Sequence, residues 1–413
     1  MSCRKNIVLG LLLIILISIF YLIPKELFSF SFSKTEQSII SVKYHEKRLY
    51  SDQFYGKVYP KINNPVFIDD KKINRIRAQI NNKEEPTYSE WIKLLNSANS
   101  KLDYTPQPPV DFFVPYVYIN PEGHSKSKDP LVKDANNAYE LALAYQITGD
   151  SQYAQSAIRI INAWSNNVNT IRDEEDTPLV ISSNFPSMIV AASLLESSSK
   201  WEQKDRVRFK QFLSDKILPN HTMNLQNNWG NWGLLLVIST ATYLNDQKLF
   251  LKSIDRWKFF IDHQMNELGH LKYEVTRNNG KGNYGIWYSH FSMQPQTLSA
   301  EIAKVNGVYL FDYVSKEGKS LEGAFNNLVK WTNEPQTFPY HKGKVDEMKH
   351  IRKKMNENSI NGDYPASISY FEILAAYYNN QTAKRIVFEE RPLTANVSFP
   401  YLTFTHGGAN RID

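Results

Sequence analysis

Along most of the chain, apolar residues recur three and four positions apart, the spacing that lines one face of an α-helix. Ala138, Leu141, Ala142 and Tyr145 form one such stripe, which stops at Gly149-Asp150. Tyr153, Ala154, Ala157, Ile161 and Trp164 form the next. The pattern continues through Phe209–Leu213, Phe250–Met265, Leu321–Trp331 and Ile368–Tyr378, with short Gly, Asn, Asp and Pro turns between the stripes. No fixed-length repeat runs through these segments, which argues against a solenoid. A double layer of helix hairpins, curled into a partial ring, buries the stripes better. The expected fold class is all-α, an incomplete (α/α) toroid in a single domain, with a cleft at its inner helix ends.

Both chain ends depart from this pattern. Arg4 and Lys5 precede an apolar run from Ile7 to Ile23, which stops at Pro24-Lys25. Such a run is long for a signal-peptide core and short for a spanning helix. Positive residues ahead of it place the N-terminus inside and the remainder outside. No small-x-small cleavage site follows, which favours an uncleaved anchor. The expected organisation is a signal peptide or membrane anchor over 1–30, a tether over 31–60, the toroid over 61–380, and an irregular tail over 381–413 packed on the toroid. The expected location is outside the cytoplasm, periplasmic or extracellular, with the membrane as a partner if residues 7–23 are retained.

Composition narrows the chemistry. The lone cysteine is Cys3, so the domain that follows has no disulfide, thiolate metal site or cysteine nucleophile. The formal net charge of +6 suits a protein that meets polyanions, but the densest basic stretch, Lys349–Lys354, is short. Nucleic acid is therefore not an expected partner. No ligand cluster for a metal is evident, and no cofactor is expected. The 24 Tyr and 8 Trp serve either a large core or a sugar-stacking groove, and composition does not separate the two.

Three stretches carry candidate chemistry. In Gln226-Asn227-Asn228-Trp229-Gly230-Asn231-Trp232-Gly233, two asparagines open a helix and place amide donors at its positive end. In Gly269–Arg277, the alternation of Leu271, Tyr273 and Val275 predicts an extended segment, with Glu274 and Arg277 just ahead of a Gly/Asn-rich loop. In Tyr284–Pro295, Tyr284, Tyr288 and His290 are candidate proton carriers or sugar contacts. For Glu274 a structural ion pair is the simpler reading. Trp232 suits the core at least as well as a stacking role.

These stretches resemble the alginate-lyase family of polysaccharide lyases, an (α/α)-toroid family. Asn227-Asn228-Trp229 with Trp232 matches a motif that opens a helix, Glu274 with Arg277 a following segment, and Tyr288 through Gln294-Pro295 a third. The Thr148–Asp150 turn between two helices also resembles the family. The resemblance implies a metal-free β-elimination on a uronate-containing acidic polysaccharide, by an enzyme expected to be a monomer. Asn228 and Arg277 would neutralise the uronate carboxylate, and Tyr288 would carry protons, its pKa lowered by the arginine. Asn227, Trp229, Trp232, Tyr284 and Glu274 would line the substrate. The polar stretch Gly123–Lys128 resembles the family's lid, which makes His124, Lys126 and Lys128 candidate substrate contacts. One departure stands out, because Trp229 occupies the family's histidine position. His290 is a candidate for the missing histidine's role, although it lies two residues from Tyr288 and so on another side of a helix.

Two other functions compete. A glycoside hydrolase on the same toroid needs two carboxylates across a cleft, for which Glu274 with Asp134 or the Asp173–Asp176 run are candidates. A non-catalytic polysaccharide-binding or export protein derived from a lyase would account for the missing histidine.

Overall fold

The computed structural model describes residues 65–281, 284–344, 368–395 and 397–409. The expected anchor over 1–30 and tether over 31–60 lie outside the described residues. Thirteen α-helices occur among the described residues. They are α1 (Asp70–Asn81), α2 (Thr87–Asn99), α3 (Pro121–Thr148), α4 (Ser151–Asn167), α5 (Thr177–Leu195), α6 (Gln203–Phe212) and α7 (Asn228–Leu244). The remainder are α8 (Gln247–Gln264), α9 (Tyr284–Val305), α10 (Leu321–Asn333), α11 (Phe371–Tyr377), α12 (Gln381–Glu390) and α13 (Leu402–His406). One two-residue parallel ladder pairs Asp111–Phe112 with Thr170–Ile171.

The helices sort into two layers by how they are buried. Helices α5, α7 and α9, with the second half of α3, are buried nearly all round and pack against one another in the order α3, α5, α7, α9. A helix apolar on every side belongs inside. Helices α4, α8 and α10 each bury one stripe, Ala154–Trp164, Phe250–Ile261 and Leu321–Trp331, and leave the other face polar. Each follows an inner helix, and α4 and α8 pack directly on the preceding one. This alternation is the (α/α) toroid predicted from periodicity.

Local signals explain the starts and stops. Asp150 caps α4 by accepting the amide of Gln152 at 2.9 Å, after Gly149 has turned α3 off at φ 75°. Asn227, Asp246 and Ser320 cap α7, α8 and α10 in the same way.

Three local expectations are corrected. The lid-like stretch Gly123–Lys128 is helical, because Asn120 caps a helix there and the stretch forms the first turns of α3. Leu271–Val275 is not extended. It is a series of tight turns in which Glu274 and Val275 are consecutive buried residues, which strand alternation does not allow. The tail over 381–413 is not irregular throughout. Ala383, Ile386 and Val387 have helical spacing and are the buried face of α12. Beyond it, Ser398 donates its amide and hydroxyl to the carbonyl of Ser183 on α5, and the amide of Phe399 donates to Ser187 Oγ. The tail is thus part of the core.

Candidate active site

The site is assembled where α7 and α9 begin. Ahead of α7 the chain runs through a loop, Thr222–Gln226, that lies against the first turns of the helix. There is no space for a side chain between them. A Cβ at Gly230 would overlap the carbonyl oxygen of Leu225, and one at Gly233 the backbone of Thr222 and Met223. That close approach explains the two glycines three residues apart. Asn227 caps the helix by accepting the amide of Trp229 at 3.1 Å. Asn228 is the first helical residue, and its backbone amide donates to Glu274 Oε1 at 2.8 Å.

Glu274 joins two of the predicted residues. It is 1% exposed. Its two oxygens each lie 3.0 Å from Asn228 Nδ2, and Oε2 also accepts Arg277 Nε at 3.1 Å. The chain then turns back through Asn278, Asn279 and Gly280, with φ of 53°, 52° and 79°. Asparagine and glycine are the residues that tolerate this left-handed region at least cost. Lys342 N donates to Gly280 O at 2.8 Å and braces the turn.

Arg277 then faces α9, with its guanidinium 4.7 Å from the centre of the Tyr288 ring. Tyr284, one turn earlier, stacks on Tyr288 at 6.3 Å and 19°. The Tyr288 hydroxyl lies 2.7 Å from that of Tyr118. Burial, with Tyr118 second, pushes the Tyr288 phenol well above its ordinary value of 10, and Arg277 pulls it back only in part. The expected lowering by the arginine is therefore reversed: Tyr288 is a protonated phenol at neutral pH.

Tyr118 was not predicted. It is 76% exposed and sits on a short strap, residues 115–120, that crosses to Tyr288. Two carboxylates hold the strap: Glu175 Oε2 accepts Tyr116 N at 2.7 Å and Asp176 Oδ2 accepts Val117 N at 2.8 Å. His124 Nδ1 lies 2.9 Å from Pro115 O and 3.2 Å from Asp176 Oδ2. His124, expected to meet substrate, thus anchors the strap. An exposed tyrosine in an irregular stretch has no periodic signature, and only the tertiary contact reveals it.

The remaining candidates fall in different places. Trp229 is half-buried beside Asn228, with its carbonyl held by Thr222 Oγ1 at 2.5 Å. Trp232 is fully buried against Phe291, with ring centres 5.1 Å apart, and belongs to the core. His290 is also fully buried, between Tyr370 Oη at 2.8 Å and Thr332 Oγ1 at 3.0 Å. Burial lowers its pKa to about 3, so it is neutral, and it is not brought to Tyr288. Lys126 is exposed and Lys128 half-buried on the first turns of α3, and the described contacts of Asn228, Arg277 and Tyr288 include neither. Asp134 is engaged by Tyr104 Oη, Gln107 N and Trp164 Nε1 at 2.6, 2.9 and 2.7 Å. It and Asp176 are structural acceptors, so the carboxylate pair a hydrolase needs is not assembled from these residues. Among the described residues, no group of three His, Cys, Asp or Glu is placed to hold a metal ion.

A helical toroid that gathers an amide, a guanidinium and a half-buried phenol at the starts of two inner helices has the build of a polysaccharide lyase. The chain belongs to the alginate lyase family, whose model matches residues 83–338. No curated protein sequence matches it. Among solved structures it is similar to an alginate lyase from Bacteroides ovatus, with 18% identity and a TM-score of 0.64 over 84% of this chain and 99% of that one. It is also similar to alginate lyase A1-III from Sphingomonas species A1, with 15% identity and a TM-score of 0.65 over 83% and 99%. A variant of alginate lyase A1-III complexed with a tetrasaccharide matches at 16% identity and a TM-score of 0.65, over 82% of this chain and 96% of that one.

Proposed function

We propose that the protein cleaves a uronate-containing acidic polysaccharide by β-elimination at the Asn228–Arg277–Tyr288 cluster. The observation that carries this reading is the Glu274 fork, which holds an amide and a guanidinium beside a half-buried phenol. The tetrasaccharide bound by a variant of alginate lyase A1-III supports an oligosaccharide-sized cleft on this fold.

β-Elimination begins by making the proton at C5 acidic, which requires the adjacent carboxylate charge to be offset. Arg277 supplies the positive charge. A single amide N–H of Asn228 forked between the two equidistant Glu274 oxygens leaves the second for the substrate carboxylate. Tyr288 first loses its own proton through Tyr118 to solvent; as phenolate it removes the C5 proton, the C4=C5 double bond forms, the C4–O4 bond breaks, and Tyr288 passes that proton to the departing O4, which restores the phenolate. Tyr118, in hydrogen-bond contact with Tyr288 and exposed to solvent, accepts the Tyr288 proton as it releases its own to water. Trp229 offers a ring face to a sugar beside Asn228. Arg4, Lys5 and the apolar run 7–23 support an exported, membrane-attached enzyme; recovery of the full chain from a soluble cytosolic fraction would contradict that.

Incubation of the full chain with a panel of mannuronate, guluronate and glucuronate polymers tests the chemistry. The expected result is a gain in ultraviolet absorbance from the unsaturated uronate. New reducing ends without that absorbance would indicate hydrolysis, and polymer binding without turnover would indicate a binding protein.

A further inference from the structure

A buried cation that none of the chemistry above uses lies beneath the site. Arg256, on α8, is 1% exposed. Its Nε donates to Met223 O at 2.9 Å, and one terminal nitrogen donates to Asn224 O at 2.7 Å and Leu225 O at 3.1 Å. Its guanidinium lies over the rings of Phe259 and Phe260, 4.5 and 4.6 Å from their centres. Three successive carbonyls of the loop that leads into Asn227 and Asn228 thus converge on one planar fork.

The loop is held by α7 as well. Leu225 O presses on Gly230, where a Cβ would also meet the Phe260 ring at 3.0 Å. Thr222 Oγ1 holds the carbonyl of Trp229, and Gln226 Oε1 accepts Tyr273 Oη at 3.1 Å. A cation near a helix N-terminus opposes the helix dipole, so helix electrostatics does not explain its place. The carbonyls do, because a fork of fixed geometry spans several acceptors where an ammonium makes point contacts.

We propose that Arg256 is a positioning residue for the elimination. It fixes residues 223–225, and through them the first turn of α7, so that Asn228 meets Glu274 and the substrate carboxylate in register. The proposal rests on the reading of Asn228 as a carboxylate donor, and its test separates the two.

Arg256→Lys keeps the charge and loses the fork. In the full chain it is expected to lower kcat about tenfold or more, as small misplacements of reacting groups do, with KM little changed. Thr222→Val, which releases the same turn from its other tether, is expected to act in the same direction. In an Asn228→Ala background the effect of Arg256→Lys on kcat should fall to about twofold or less, since residues acting through one another are not additive. Hydrogen exchange supplies a readout independent of turnover: Arg256→Lys should speed exchange at the amides of residues 223–229 and leave α8 unchanged. An equal loss of kcat in both backgrounds, exchange that quickens along α8, or no change in either readout would overturn the proposal. Loop-limited exchange in a protein that cleaves no uronate polymer would uphold the positioning and refute the lyase chemistry.

Discussion

Glu301 and Glu274 are both 1% exposed, and each faces a cation, yet their surroundings differ. Glu301, on α9, binds Lys72 of α1 at 2.8 Å and Lys304 at 3.0 Å, with His406 of α13 at 3.5 Å. Every partner belongs to a packed helix, and the cluster joins the first described helix to the last through an inner one. Burial, the largest single influence, would raise the Glu301 carboxyl; Lys72, His406 and Lys304 together reverse that and hold it well below the usual carboxylate range. Glu274 instead sits in a turn, and one of its partners leads outward: Arg277 is 27% exposed and faces Tyr288, which touches the exposed Tyr118. The same residue type therefore closes a ring in one place and aims donors at a cleft in the other. Burial and an ion pair do not by themselves tell the two carboxylates apart. What their partners face does: those of Glu301 tie packed helices together, whereas Arg277 turns to the Tyr288–Tyr118 pair.

Breaking Glu301 should produce the larger loss of stability. Glu301→Gln leaves Lys72 buried without its counter-charge, a class of change that costs about 3–5 kcal/mol. Thermal unfolding should show the drop, with kcat at permissive temperature unchanged. Because the Glu301 pKa is depressed on folding, its stabilisation is present at neutral pH and is lost as pH falls below the usual carboxylate range. The acid limb of the stability profile should therefore flatten in Glu301→Gln. Buried His290 acts higher up: its pKa falls from 6.5 to about 3 on folding, so the unfolded chain takes up the proton first. Stability should decline as pH drops from 6.5 towards 3, and less so in His290→Asn.

Glu274→Gln should reverse that balance. It loosens Asn228 and Arg277 together and is expected to lower kcat about a hundredfold, with a smaller effect on unfolding. A stability loss equal to that of Glu301→Gln with kcat intact would make the two carboxylates equivalent and end the distinction. Tyr118→Phe is the mildest change, removing one hydroxyl from an exposed strap. It should cost about tenfold or less in kcat and leave stability unchanged. Since burial and Tyr118 hold the Tyr288 proton above its ordinary range, kcat/KM should climb with pH into the alkaline region, and the climb should begin at lower pH in Tyr118→Phe.

The two clusters were unequally legible in the sequence. The helices carrying Glu301 follow from apolar spacing, but nothing near Lys72, Glu301 or His406 announces that residues hundreds of positions apart will meet. Asn228, Arg277 and Tyr288 stand in stretches whose composition is hard to explain as core, and the structure brings them together. Arg256 escaped notice because one polar position on the stripe from Phe250 to Met265 reads as solvent-facing. Leu271, Tyr273 and Val275 have the period-two spacing of a strand, but the turns there bury Glu274 beside Val275, and spacing alone does not reveal that. His290 looked chemical beside Tyr288, although residues two apart on a helix point to different sides, and it went to the core.

The central claim is that the Tyr288 phenol, set by Arg277 and Glu274, transfers the proton in a β-elimination. The direct measurement is kcat for Tyr288→Phe on whichever uronate polymer the parent converts to an absorbing product, with circular dichroism confirming an intact fold. The account predicts a loss of about a thousandfold, the scale of a missing acid–base group, with KM nearly unchanged. A folded Tyr288→Phe protein that forms unsaturated product within a fewfold of the parent rate would contradict it.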